Sequence, residues 1–211
     1  MIVVVTGTGT EIGKTWVTAV LAGALRRRGI AIAVRKPVQS FSIDQGVPTD
    51  AEILGNASGV GAQTVCPAHR WLPRALAPPM AAEALGFAPF TISELASEVT
   101  TNTEPGAIVI VESAGGVRSP LAVDGDTVSL VVALQPALVV LVADAELGTI
   151  NLVRLSTDAL GGHRVVVYLN RFDDHDELHS RNRDWLITRE GLEVVTNPEA
   201  LESIVAAVAS R

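Results

Sequence analysis

The sequence predicts a doubly wound α/β fold: one domain over residues 1–211, with a single, mostly parallel sheet and helices on both of its faces. Three observations predict it. Short, nearly continuous runs of Val, Ile and Leu recur along the chain, the pattern of strands covered on both faces. Helical stretches alternate with those runs. Neither a repeat nor a clear linker interrupts the alternation, and 211 residues suffice to bury a sizeable core.

The elements follow in order. An apolar strand, Ile2–Thr6, runs into a small, polar turn and then a helix over Lys14–Arg28. Arg26, Arg27 and Arg28 sit at the negative end of that helix, with Gly29 as its C-terminal cap, so the trio reads as a solvated helix end and not a binding patch. Next come a strand over Ala31–Arg35, a helix over Asp50–Ala57, a helix over Thr91–Thr100 and a strand over Ala107–Glu112. The stretch Val128–Ala143 is the most membrane-like, but it is short, contains Pro136 and is flanked by Asp126 and Asp144. It reads as a helix (Asp126–Leu134), a turn at Gln135-Pro136 and a buried strand (Ala137–Ala143). A helix over Thr149–Leu160, strands over Arg164–Leu169 and, more weakly, Leu192–Thr196, and a helix over Pro198–Ala209 complete the chain.

Composition narrows the function. A chain 48% hydrophobic and 18% charged is a well-buried fold, not a disordered one. Its formal net charge of −7 argues against nucleic acid as the main partner, while a few lysines and backbone amides can still make a local anion site. A single cysteine and no leader point to a cytoplasmic protein with no membrane partner. Cys66 has no obvious base beside it in sequence, which speaks against a nucleophilic thiol. In "DDHDELH", His175 and His179 lie four residues apart among acids; a metal pair is one reading, a charged surface helix the duller and preferred one.

The stretch "VVVTGTGTEIGKTW", Val3 to Trp16, carries the most chemistry. A buried strand, a glycine-rich turn and a helix starting at Gly-Lys-Thr are the context of a phosphate-binding loop. Gly7, Gly9 and Gly13 let successive N–H groups turn inward around an anion; Lys14 can reach the outer phosphates and the Thr15 hydroxyl can bind Mg²⁺. The spacing is unusual, because Thr8 stands where the common form of the loop has glycine.

That longer loop, "GTGTEIGKT", resembles the loop of the dethiobiotin synthetases, a P-loop NTPase family. Further segments are similar in the same order: "RKPVQS" from Arg35, "PTDAEIL" with Asp50, "ALAPPMAAE" before a helix, "IVIVESAGG" with Glu112, "ADAELGTIN" up to Asn151, and Asn170 ending "VVVYLN". The resemblance spans about Met1 to Asn170. It implies that the chain uses ATP and Mg²⁺ to close a cyclic urea on diaminopelargonic acid and CO₂, as a homodimer. It implies catalytic roles for Lys14, Lys36, Thr10 and Ser40, and nucleotide contacts from Gly9, Glu11, Ile12, Gly13, Lys14, Thr15, Trp16 and Asn170, the last toward the base. The metal would be held by Thr15, Asp50 and Glu112, and the substrate by Ser40, Gly115, Gly116, Leu147, Gly148 and Asn151, whose helix start receives a carboxylate near a second subunit. Read from the residues alone, Asp50 could equally be a helix N-cap.

Three departures stand out. Phe41 and Ser113 replace family glycines, and "GLEVVTNPEALE" lacks the Gly-x-Ile/Leu-Pro element that encloses the base. A paralogue with altered substrate is one alternative. Another is a partner-regulated switch ATPase of the partitioning or division-site type, but those carry an extra loop lysine where this chain has Gly9.

Overall fold

The computed structural model describes residues 1–43 and 46–210. Its central sheet has six strands, β1 (Ile2–Gly7), β2 (Ile32–Arg35), β5 (Ile108–Glu112), β8 (Leu138–Asp144), β9 (Val165–Asn170) and β10 (Glu193–Val195), in the order β10-β9-β8-β1-β5-β2. Every pairing is parallel, and β1 lies between β5 and β8, with Val4 opposite both Val111 and Val139. The doubly wound expectation holds, and no end of these six strands moves by more than one residue.

Successive side chains of a strand point to opposite faces, so each Val-rich run feeds two cores. Val4, Val109, Val111, Val139 and Leu141 face one layer, and Val3, Val5, Ile108, Ile110, Leu138 and Val140 the other. The second layer is covered by α1 (Lys14–Arg27), α2 (Asp50–Ser58), a short α3 (Ala62–Val65) and α9 (Pro198–Ala209). Val17, Leu21, Ala22 and Leu25 of α1 recur at helical spacing and bury one stripe against the sheet. The first layer is covered by α4 (Pro78–Ala84), α5 (Ile92–Thr100), α6 (Thr127–Leu134), α7 (Thr149–Leu160) and α8 (Glu177–Thr188). Among the described residues no helix is long and apolar enough to cross a membrane.

Two small ladders sit at the rim: β3 (Gln39–Ser40) pairs with β4 (Trp71–Leu72), and β6 (Pro120–Ala122) with β7 (Gly125–Asp126). The segment "ALAPPMAAE" is itself helical from Pro78 onward, where the sequence reading placed it ahead of a helix. Pro78 and Pro79 occupy the first turn, where a missing N–H costs nothing.

Candidate active site

The carboxyl ends of the strands are where open α/β sheets bind ligands. Here the β1–α1 turn, the segment after β2, the start of α2 and the turn after β5 enclose a cleft of about 750 Å³. Of the residues singled out from sequence, Thr10, Glu11, Gly13, Lys14, Thr15, Lys36, Ser40, Phe41, Asp50 and Gly115 line it.

The loop geometry follows from its glycines and its first lysine. Gly13 caps α1 at φ 92°, and a Cβ there would collide with the Asn170 amide, so backbone angle and space both demand glycine. Lys14 is the first residue of α1, and its Nζ donates to the Gly9 carbonyl at 2.7 Å, folding the side chain back over the turn. Burial, with the Lys36 charge nearby, lowers its pKa to about 8 against the pull of Glu112 and Asp50.

Helix α2 delivers Asp50, and its cap excludes one of the two roles read from the sequence. Thr49 is the N-cap: its hydroxyl accepts from the Glu52 N–H, and the Glu52 carboxylate accepts from the Thr49 N–H. Gln39 Oε1 accepts the Ala51 N–H at 3.0 Å. With the first turn satisfied by these neighbours, the Asp50 carboxylate is free to reach α1 and β2.

Glu112, fully buried at the end of β5, completes the cluster. Thr15 Oγ1 lies 2.9 Å from Asp50 Oδ1 and 2.8 Å from Glu112 Oε1; having one proton, it donates to one at a time. Lys36 Nζ bridges the same acids, 2.6 Å from Asp50 Oδ2 and 2.7 Å from Glu112 Oε1. Burial alone would lower the Lys36 pKa, but Glu112 and Asp50 outweigh it and hold it raised. Burial pushes the Asp50 carboxyl up, and Lys36, Thr15 and Lys14 overcome this and hold it down. Glu112 Oε2 is buried with no hydrogen-bond partner among the described residues. A hydroxyl and two carboxylates, one with an oxygen to spare, are the hard donors that fit Mg²⁺.

The remaining predicted residues lie outside the cleft lining. Gly116 packs on the loop, where a Cβ would stand 3.3 Å from the Thr8 carbonyl oxygen. Ile12 offers its carbonyl, which accepts from Asn170 Nδ2 at 2.8 Å. Asn170 is therefore turned to the loop backbone. Arg171, at φ 55°, donates to the Glu11 carbonyl and to Asp144 Oδ2, each at 2.9 Å, and adds a second tie that sequence reading missed; only its positive φ marks it. Trp16, 51% exposed, stands in a shallow apolar groove with Tyr168 and Pro198. Leu147, Gly148 and Asn151 lie on the surface at the start of α7, where Gly148 caps the helix without a side chain.

The departures are accommodated. Phe41 leans edge-on against Trp71, their centroids 6.1 Å apart. Ser113 keeps negative φ, and its Oγ donates to Thr6 Oγ1 at 3.1 Å. Where the Gly-x-Ile/Leu-Pro element is missing, Asn197 caps α9. Among the lining residues unremarked in the sequence are Gln39, which holds α2, and Ser119, whose Oγ accepts the Gly116 N–H at 2.9 Å.

Other candidates fall away. His175 precedes α8, which starts at Glu177, and His179 Nδ1 accepts the Asp173 N–H, so the two do not form a one-turn pair on a helix. No cluster of three or more His, Cys, Asp or Glu suited to a metal occurs among the described residues. Cys66 is buried, and its thiol is pushed up to about 12 by that burial. It cannot serve as a thiolate.

A family model described as an AAA domain matches residues 2–204. The signal recognition particle receptor FtsY from Elizabethkingia anophelis shares the fold, with a TM-score of 0.54 at 14% identity over 92% of this chain and 56% of that one. Chloroplast FtsY from Physcomitrella patens is similar, with a TM-score of 0.52 at 14% identity and the same two shares. Fold, loop and cleft together define a P-loop nucleotide-binding protein. Among curated proteins, the ATP-dependent dethiobiotin synthetase BioD of Mycobacterium bovis (strain BCG / Pasteur 1173P2) is 38% identical over 164 residues, 78% of this chain and 70% of that protein. The enzyme of the same name from Mycobacteroides abscessus is 39% identical over 160 residues, 75% and 67% of the respective chains. The chain belongs to the dethiobiotin synthetase family, ATP-dependent ligases of biotin biosynthesis that use ATP and Mg²⁺.

Proposed function

We propose that this cleft closes a cyclic urea on 7,8-diaminopelargonic acid, consuming CO₂ and ATP and releasing dethiobiotin, ADP and phosphate. The observation that carries the reading is the cleft's chemistry: two lysines and a hard-oxygen cluster at a phosphate loop, with the one thiol buried and unreactive. In this reaction one amine and CO₂ form a carbamate, whose oxygen attacks the γ-phosphorus and expels ADP. The second amine then attacks the carbamoyl carbon and expels phosphate. Such steps ask for positioning and charge neutralisation, not for a protein nucleophile.

Lys14 neutralises the transferring phosphoryl group and Lys36 the carbamate, while Thr10 and Glu11 shape the loop. Ser40 hydrogen-bonds the substrate beside Gly115 and Gly116. Thr15, Asp50 and Glu112 hold Mg²⁺, which when bound offsets the charge on the phosphates. Gly9, Ile12, Gly13 and Trp16 contact the nucleotide. A cleft of about 750 Å³ supports binding of both substrates at once.

Leu147, Gly148 and Asn151 serve a second subunit. Leu147 is 87% exposed, and Leu152 and Leu155 carry the apolar exposure along one face of α7. That surface supports a symmetric dimer in which the α7 start of one protomer meets the substrate carboxylate. Residues 1–211 act as one domain, since both cores share a single sheet. The acidic charge supports the absence of nucleic acid, and the use of ATP supports a cytoplasmic setting without a membrane partner.

Phosphate release with and without the diamine tests the reading. Turnover stimulated by the diamine and CO₂ is expected. Stimulation only by a protein partner would instead make this a switch ATPase.

A further inference from the structure

The two carboxylates that could hold a metal already hold a cation belonging to the chain. Lys36 Nζ lies between Asp50 Oδ2 at 2.6 Å and Glu112 Oε1 at 2.7 Å, while the other Asp50 oxygen and the same Glu112 oxygen face the Thr15 hydroxyl. The local count is one positive charge against two negative ones, and Glu112 Oε2 has no donor among the described residues. Lys14, the next nearest cation, has its Nζ on the Gly9 carbonyl at 2.7 Å.

We propose that Lys36 and Mg²⁺ compete for the Asp50–Glu112 pair, so that metal loading drives the Lys36 ammonium out of the carboxylates and into the cleft. The inference rests on the metal assignment of the proposed function. A dication balances the pair fully, and it needs its oxygens at about 2.0–2.1 Å in octahedral order. An ammonium held by those same atoms would then lie within about 4 Å of it, where like charges repel strongly at a site screened from water. Lysine suits the exchange: its charge rides a flexible four-carbon stem. Lys36 is rooted just after β2 and lines the cleft, so a turn of that stem brings the ammonium to a carbamate or phosphoryl oxygen. The lysine would thus reach the reacting groups only after the metal is in place, which orders the two events.

Mn²⁺ binding, followed by electron paramagnetic resonance without nucleotide, tests this on the wild type and on Lys36→Met. Removing the competing charge should tighten Mn²⁺ binding by at least about tenfold. Equal or weaker binding by a folded variant would overturn the proposal, whereas a merely structural lysine would weaken the site when lost. Should Lys36→Met unfold, acetic anhydride labelling of the wild type, read by peptide mass, decides the matter. Mg²⁺ alone should raise the labelling of Lys36 relative to the exposed amino groups, and unchanged or lower labelling at saturating metal would overturn the exchange. A wild type that binds no Mn²⁺ even with ATP would sink the metal assignment itself. Binding with ATP but no gain in the variant would sink only the competition.

Discussion

Replacing Asn170 with alanine separates two jobs that one amide could do. The family resemblance points Asn170 at the nucleotide base, whereas the side chain, only 7% exposed, gives its Nδ2 to the Ile12 carbonyl at 2.8 Å. Deleting the amide strands that carbonyl, at a cost of about 1–3 kcal/mol. If the whole loss falls on the loop shape that receives phosphates, nucleotide affinity drops about five- to 140-fold, at 1.4 kcal/mol per factor of ten. The loop contacts phosphates, which all nucleotides share, so ATP, GTP and CTP should lose equally. A base-reading amide would behave differently: its removal would shrink the difference between ATP and the others. KM for each triphosphate, measured by phosphate release at saturating diamine, distinguishes the two, with thermal unfolding as a control on folding. Converging KM values would refute the clamp, as would unchanged values throughout. Arg171→Ala, which removes the second tie to the loop at Glu11, should repeat the pattern more weakly, because that side chain is exposed.

Lys14→Ala should lower kcat about a hundredfold or more, the scale of one lost electrostatic stabiliser, while circular dichroism shows an intact fold; near-normal turnover would remove Lys14 from the reaction. Lys14, with a pKa lowered to about 8, must be charged to bind phosphate, so kcat/KM for ATP should fall as pH rises through about 8. The bound phosphates favour the charged form, so the same limb in kcat should lie at higher pH; coincident limbs would count against the assignment. The sign for folding is opposite: a lysine whose folded pKa is depressed makes the protein more stable as pH rises from about 8 toward the ordinary 10.5, visible in urea midpoints. Asn151→Ala should weaken diamine binding about ten- to a hundredfold, the worth of a hydrogen bond to a charged carboxylate, and leave ATP affinity unchanged in calorimetry. Equal losses for both ligands would indicate a folding defect instead.

The sheet was legible because strands covered on both faces must be apolar at every position, and Val-rich runs such as Val3–Val5 and Val139–Val142 admit few other readings. The rim elements were not. Helix α8 was legible only at its start, as the charged surface helix read from "DDHDELH"; it buries only His179, Asn182 and Leu186, too little apolar surface for its length to register as a helical stripe. Helix α4 begins on two prolines that, out of context, look like a break. The ladder between Gln39–Ser40 and Trp71–Leu72 joins segments some thirty residues apart, and nothing local announces such a pairing.

The site shows the same division between local and distant information. Lys14 and Thr15 are placed by their own loop, so their role is written in nine consecutive residues. Asp50 is different, because an aspartate at a helix start has two competing uses, and sequence alone leaves both open. The neighbour decides: Thr49 supplies the cap and Glu52 closes the box, which leaves the Asp50 carboxylate without a local task. Gln39 then fixes the helix start from across the chain through the Ala51 N–H. With those backbone groups satisfied, the Asp50 carboxylate faces Thr15 and Lys36. The direction in which Asp50 faces is thus set by residues outside the carboxylate cluster, which is why the cluster could not be read from its own segment.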